Sequence, residues 1–288
     1  MNAILSGKTI KNFMVTSAMI TAGTVLAAIS YTPAAYAFGV GIQPSTVEMT
    51  VKPGDRHRQI VTIGNVHKSK TISLTMGLAD WSLDKDGQLV LNPPGETERS
   101  AANWIRFSPA SVTLKPETSQ DITVEISVPY KSTGNGDHRF ALIATTMLPE
   151  LDERGDVSGV WNRYQLASLF YLTFTPSEST PVVSNVAFDN KDTSMLTMKI
   201  TNDGDAHARL KGSAYIKDEA GDIVVESPIA TVVLDSSQRD YSLKFQELEQ
   251  LTKGENYTIE FNLNNSFTPQ NKFKSMDVPI APLAFVAP

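Results

Sequence analysis

Asp121-Ile122-Thr123-Val124-Glu125-Ile126-Ser127-Val128 puts an apolar side chain at every second position, with polar or charged neighbours between. Successive side chains of a strand point to opposite faces, so this alternation predicts a half-buried β-strand. The habit extends outward in both directions. Ile72, Leu74, Met76 and Leu78 alternate with Thr71, Ser73, Thr75 and Gly77. The second half repeats it in Leu196-Met198-Ile200, in Tyr241-Leu243-Phe245 and in Tyr257-Ile259-Phe261-Leu263. Turn residues divide the runs at Pro53-Gly54-Asp55, Asp84-Lys85-Asp86-Gly87, Asn202-Asp203-Gly204-Asp205, Ala220-Gly221-Asp222 and Lys253-Gly254-Glu255. Only Phe245 to Leu251 reads as a helical turn. Short strands at this spacing predict an all-β chain of sandwich or barrel domains.

The first residues carry an export signal. Lys8 and Lys11 precede an uncharged stretch from Phe13 to Ser30, Pro33 breaks it, and Ala35-Tyr36-Ala37 offers small residues to a signal peptidase. Cleavage is expected after Ala37, so residues 1–37 are read as a signal peptide and the protein as exported. The rival is an uncleaved anchor, because the stretch is near the lower limit of about 17 residues for crossing a bilayer. Removing 37 of the 288 residues leaves room for two immunoglobulin-type sandwiches at about 100 residues each. Pro176-Ser177-Glu178-Ser179-Thr180-Pro181 reads as the joint between them, since prolines interrupt ladders and stiffen connections. The expected units are 38–175 and 176–288, with a loop inside one larger sandwich as the alternative. The tail from Pro279 to Pro288 is either a terminal edge strand or loose.

Composition narrows the function. There are no cysteines, which excludes thiol catalysis, cysteine metal sites and disulfides, and leaves stability to packing and strand pairing. A net charge of −6 with mixed signs offers no basic face for nucleic acid.

Several segments, taken in order, resemble the N-terminal domain of periplasmic pilus-assembly chaperones, the PapD-like family. They are Gly41 to Val51 as an opening strand, Arg58 to Asn65 as the next, and Trp81 after a third. Ile105-Arg106-Phe107-Ser108-Pro109-Ala110-Ser111-Val112-Thr113-Leu114-Lys115-Pro116 with Gln120 is the better match. Asp137-His138-Arg139-Phe140-Ala141-Leu142 and the long run Tyr164 to Pro176 complete it. The resemblance implies two tandem immunoglobulin-like β-sandwich domains without enzymatic activity or cofactor. It also implies partners: pilin-like subunits, bound by donating the last strand, and an outer-membrane usher that receives them. Strand addition works through backbone bonds, with alternate side chains filling the partner's groove. The residues implied for partner-strand binding are Leu166, Ser168, Phe170, Leu172 and Phe174 on one face, with Ala167, Leu169 and Tyr171 on the other. Apolar residues on both faces fit a donated strand and fit a doubly covered central strand equally. The family holds its subunit's carboxylate with an Arg on the opening strand and a Lys on the last. This sequence has Val47 and Tyr171 there, and Thr175 where an Arg precedes the closing Pro, so no anchor is assigned.

Other constellations read as ordinary structure. His57, His67, His138 and His207 lack ligand spacing and are expected in solvated loops. Asp80, Asp84 and Asp86 lack the downstream acid of a calcium loop, and a hairpin turn explains them. No Gly-x-Ser-x-Gly elbow or phosphate-cradling loop occurs. Acid pairs such as Glu247 and Glu249 leave paired-acid glycosidase chemistry open, because such a pair is spatial. Trp81, Trp104 and Trp161 could form a sugar platform but are more often core residues. The acidic stretch from Met147 to Trp161, with Glu150, Asp152, Glu153 and Asp156, is read as a solvated loop, with guarding of the partner strand as a lesser role. The function expected is a chaperone; the alternatives are an exported structural or adhesion scaffold and a carbohydrate-binding module.

Overall fold

A computed structural model describes residues 39–131, 134–148, 162–246, 248–266 and 276–287. The export signal with its cleavage point, the stretch 149–161 with Trp161, and Glu247 lie outside the described residues. No described helix is long and apolar enough to cross a membrane.

The chain is all-β, as the period-two runs predict. Residues 40–174 supply β1 (Val40–Gln43), β2 (Thr46–Val51), β3 (Arg56–Asn65), β4 (Ile72–Leu83), β5 (Leu89–Asn92), β6 (Ile105–Ser108), β7 (Ser111–Leu114), β8 (Ser119–Ser127), β9 (Gly136–Leu148) and β10 (Asn162–Phe174). One sheet runs β1-β3-β8-β6; the other runs β2-β10-β9-β4-β5, with β7 also on β4. The quoted alternation falls on β8, where Ile122, Val124 and Ile126 are buried and Glu125 is exposed. Inward residues of both sheets close one core, which includes Val61, Ile63, Leu74, Leu114, Phe140 and Leu172. The rings of Phe140 and Phe170 stack 4.3 Å apart at its centre.

Residues 181–286 build a second sandwich from β11 (Pro181–Phe188), β12 (Met195–Asn202), β13 (Ala208–Lys217), β14 (Ile223–Val233), β15 (Ser237–Lys244), β16 (Asn256–Asn265), β17 (Met276–Asp277) and β18 (Leu283–Val286). Its sheets run β11-β12-β15 and β14-β13-β16-β17, with β18 also on β16, and they enclose a separate core. The apolar tail is thus an edge strand. The helical turn near Phe245 shrinks to one 3-10 turn at Leu248–Gln250.

One difference from the sequence reading bears on function. The opening strand is split: β1 pairs antiparallel with β3 in one sheet, whereas β2 pairs parallel with β10 in the other. Pro44 sits at the crossing, where a residue without an amide hydrogen cannot extend the ladder. The segment read as a joint is pinned to the second sandwich. Glu178 carbonyl accepts from the Ala206 amide at 3.0 Å, and Thr180 amide donates to the Asn202 side chain at 2.8 Å. Gly204 lies so close that an added Cβ would stand 2.3 Å from the Glu178 carbonyl oxygen.

An Asn closes an inner strand in each sandwich by the same device. Asn65 Oδ1 accepts from the amide two residues on at 2.9 Å, while its Nδ2 donates to Lys70 and Leu114 carbonyls. Asn202 does likewise with the Gly204 amide at 3.2 Å and the Ala206 and Leu234 carbonyls. Both are buried, so each satisfies backbone groups that no strand reaches. Replacing Phe140 with Ala should remove the central ring of the first core and cost about 3–5 kcal/mol, measured by urea unfolding.

Candidate functional site

The strand singled out by sequence, β10, pairs antiparallel with β9 along its whole length, from Asn162↔Leu148 to Phe174↔Gly136. Its other edge is covered by β2 only from Leu169 to Phe174. Among the described residues no strand pairs with that edge between Asn162 and Ser168. Leu169 amide donates across it to the Ser45 carbonyl at 2.9 Å. Amides point alternately to the two sides of a strand, so those of Ala167 and Gln165 face the same uncovered side.

The five expected partner-binding residues fall into two groups. Phe170, Leu172 and Phe174 are buried in the core of their own sandwich. Leu166 is half-buried against that core, and the Ser168 hydroxyl donates to the Pro44 carbonyl at 2.6 Å. The opposite face carries Ala167, Leu169 and Tyr171. It packs against Ala79, Trp81, Ala141 and Ile143, and against Leu234 and Val232 of the second sandwich. The C-terminal half of β10 is therefore covered on both faces and both edges, and only its first half keeps an open edge.

Polar contacts complete the junction between the sandwiches. Asp137 Oδ2 accepts from the His207 amide at 2.7 Å and from its ring Nδ1 at 2.6 Å, and Asp137 Oδ1 accepts from the Thr173 hydroxyl at 2.6 Å. Glu48 pairs with Arg209 and stands 3.5 Å from His207 Nε2. Arg139 pairs with Asp235, which also has Arg99 at 3.6 Å. Two backbone bonds join in, Asp137 amide to Asp205 carbonyl at 2.9 Å and Asp240 amide to Lys85 carbonyl at 2.7 Å. Gly136 allows the approach: at φ +90 it accepts a conformation side chains rarely adopt, and a Cβ there would meet the Asp205 carbonyl oxygen at 2.2 Å. Burial by itself raises the Asp137 and Glu48 carboxyls, but the interactions of both with His207, joined by Thr173 at Asp137 and Arg209 at Glu48, outweigh it and hold both below the ordinary range.

An open cleft of about 330 Å³ lies beside this junction, lined in part by Trp81, Leu169, Tyr171, Arg209, Lys211 and Arg239. Tyr171, at the position where the family resemblance expects a Lys, faces it opposite Glu48 in the β2 register. Val47, where the Arg is expected, is buried in the core. The cations near Tyr171 come instead from β9, where Arg139 is its cross-strand partner, and from β13 and β15.

The histidine expectation is corrected for three residues, of which His57 lies half-buried in β3 rather than in a loop. His138 is 2% exposed between Trp104 and Phe174; burial, with Arg99 nearby, pulls its imidazole down to about 4. His207 is fully buried in the junction. Isolated histidines gave no signal of this, because their burial depends on strands distant in sequence. Trp81 is 2% exposed, with its indole donating to the Phe140 carbonyl at 3.0 Å, so it is a packing residue. Asp84 Oδ1 accepts from the Asp86 and Gln88 amides, the hairpin turn expected there.

No protein-family model and no curated protein matches the chain. Among solved structures it is similar to the class 5 fimbriae chaperone CfaA, at 13% identity over 84% of this chain and 100% of that one, with a TM-score of 0.42. It is similar to a chain of the CsuC–CsuE chaperone–tip adhesion subunit complex of Acinetobacter baumannii, at 12% identity over 83% and 97%, with a TM-score of 0.43. It is also similar to the E. coli chaperone DraB, at 9% identity over 84% and 98%, with a TM-score of 0.41.

Truncating Asp235 to Ala would leave Arg139 and Arg99 facing each other at the junction. Arg139 keeps 11% of its side chain exposed, so a loss of about 3 kcal/mol, the lower end for a broken buried pair, is expected, measured by urea unfolding.

Proposed function

We propose that this protein is a periplasmic chaperone that holds pilus or fimbrial subunits by strand addition at the open edge of β10 and passes them to an outer-membrane usher. The observation that carries this reading is the uncovered edge between Asn162 and Ser168. An exposed row of amides and carbonyls is a template for another chain's strand. Strand addition needs that row beside apolar side chains, and here Leu166 lies on one face with Ala167 and Leu169 on the other. The sequence resemblance of the first sandwich to pilus-assembly chaperones supports the same assignment, and the export signal read in residues 1–37 supports work outside the cytoplasm. No catalytic step is part of this reading, and the protein is proposed as a binding protein.

Residue by residue, the reading departs from a strand that donates all five residues. Leu166 and Ser168 lie beside the open edge, while Phe170, Leu172 and Phe174 contribute by fixing the strand in its own sheet. Leu172→Asp would put a charge in the core and report on folding rather than on binding. A second reading, an exported scaffold without a client, draws support from the closed half of β10 and from the tightly paired junction.

Gln165→Pro separates the two. It deletes one outward amide while leaving the β9 ladder its bonds. A subunit complex recovered from periplasm at one-to-one stoichiometry should be lost in this variant, with the thermal midpoint of the free protein shifted by only a few degrees. A client-free protein in cells making the fibre subunits would favour the scaffold.

A further inference from the structure

The junction holds a titratable group that strand addition does not use. His207, on the approach to β13, is 0% exposed and lies between two carboxylates of the first sandwich, Asp137 at 2.6 Å from Nδ1 and Glu48 at 3.5 Å from Nε2. A neutral imidazole has one N–H, so it can donate to one of these groups and must turn a lone pair toward the other. The imidazolium donates to both.

We infer that His207 is a proton-dependent clip between the two sandwiches, closed when the imidazolium bridges Asp137 and Glu48 and loosened when it loses its proton. The groups facing it come from every element around it. β9 brings Asp137, whose other oxygen is occupied by the Thr173 hydroxyl of β10. β2 brings Glu48, which also pairs with Arg209 of β13. β10 brings the Tyr171 ring, its centroid 4.0 Å from that of His207, with a hydroxyl that burial keeps protonated. With His207 charged, two cations and two anions balance. With it neutral, the cluster keeps one unmatched negative charge in a buried place, which is costly.

The electrostatics agree in direction. Burial lowers the imidazole, but the Asp137 and Glu48 carboxylates push it up by more, so it lies above its ordinary value. A basic group raised on folding stabilises fully below its unfolded value, about 6.5, and that contribution disappears as pH rises through the folded value. The acid limb has the opposite sign. Asp137 and Glu48 are depressed, so their contribution is present above about pH 4.5 and lost as pH falls through their folded values. The junction is thus tightest between these limits and opens on the alkaline side.

Because the chain has no cysteine, a spin-label pair can be placed cleanly at Lys68→Cys and Lys253→Cys, exposed positions on the first and second sandwich. The label–label distance distribution should be narrow near pH 6 and broaden by about pH 9, and the His207 Cε1–H resonance should titrate over the same interval, above about 6.5. His207→Gln should give a distribution that no longer changes with pH. An NMR titration of His207 at or below its ordinary value, or a distribution that stays constant while His207 titrates, would overturn the inference. So would a His207→Gln protein that keeps the wild-type pH response. Should that variant fail to fold, the two measurements with native His207 decide the question.

Discussion

The pairing of β10 is the constraint on which the rest of the molecule turns. A strand has two hydrogen-bonding edges, and each buried amide or carbonyl on them needs a partner. β9 fills one edge throughout. The other edge is filled only where β2 runs beside it, because the opening strand crosses from one sheet to the other at Pro44. A segment committed to β3 cannot also pair with β10. The crossing therefore sets how much of β10 is sealed and how much stays open, and it divides a stretch of continuous apolar sequence into a core half and an edge half.

The closed half of β10 also builds the junction. Tyr171 and Thr173 point away from the first core and meet Trp81, Asp137 and the second sandwich. With no disulfides, the relation between the sandwiches rests on packing and on buried charge. Buried ion pairs add little stability over an apolar contact of the same shape, yet they tolerate few geometries. Asp137–His207 and Arg139–Asp235 both join the N-terminal end of β9 to the second sandwich, so they fix register across the boundary more than they add cohesion. The segment from Pro176 to Pro181, bonded to Asn202 and Ala206, follows the second sandwich.

Much of the fold was legible in the chain because period-two alternation records which face of each strand is buried. Ile122, Val124 and Ile126, and Leu196, Met198 and Ile200, were placed inward by their spacing alone, and all six are buried in β8 and β12. The turn at Asp84 to Gly87 was legible for a related reason: its bonds are local, within four residues. β10 was identifiable as the long apolar strand of the first sandwich. Its sequence could not say which of its edges is covered, since Leu166 and Leu172 are equally apolar and differ only in their neighbours.

The sequence by itself determined the all-β class, the inward faces of the alternating runs and the local turns, because these depend on residues near one another. Tertiary structure alone decided that β2 stops short of Asn162, that His207 meets Asp137 across 70 residues, and that Glu48 faces Tyr171. Those features arise where strands from distant parts of the chain are brought side by side. A histidine or glutamate carries no periodic signal of the partner it will meet there.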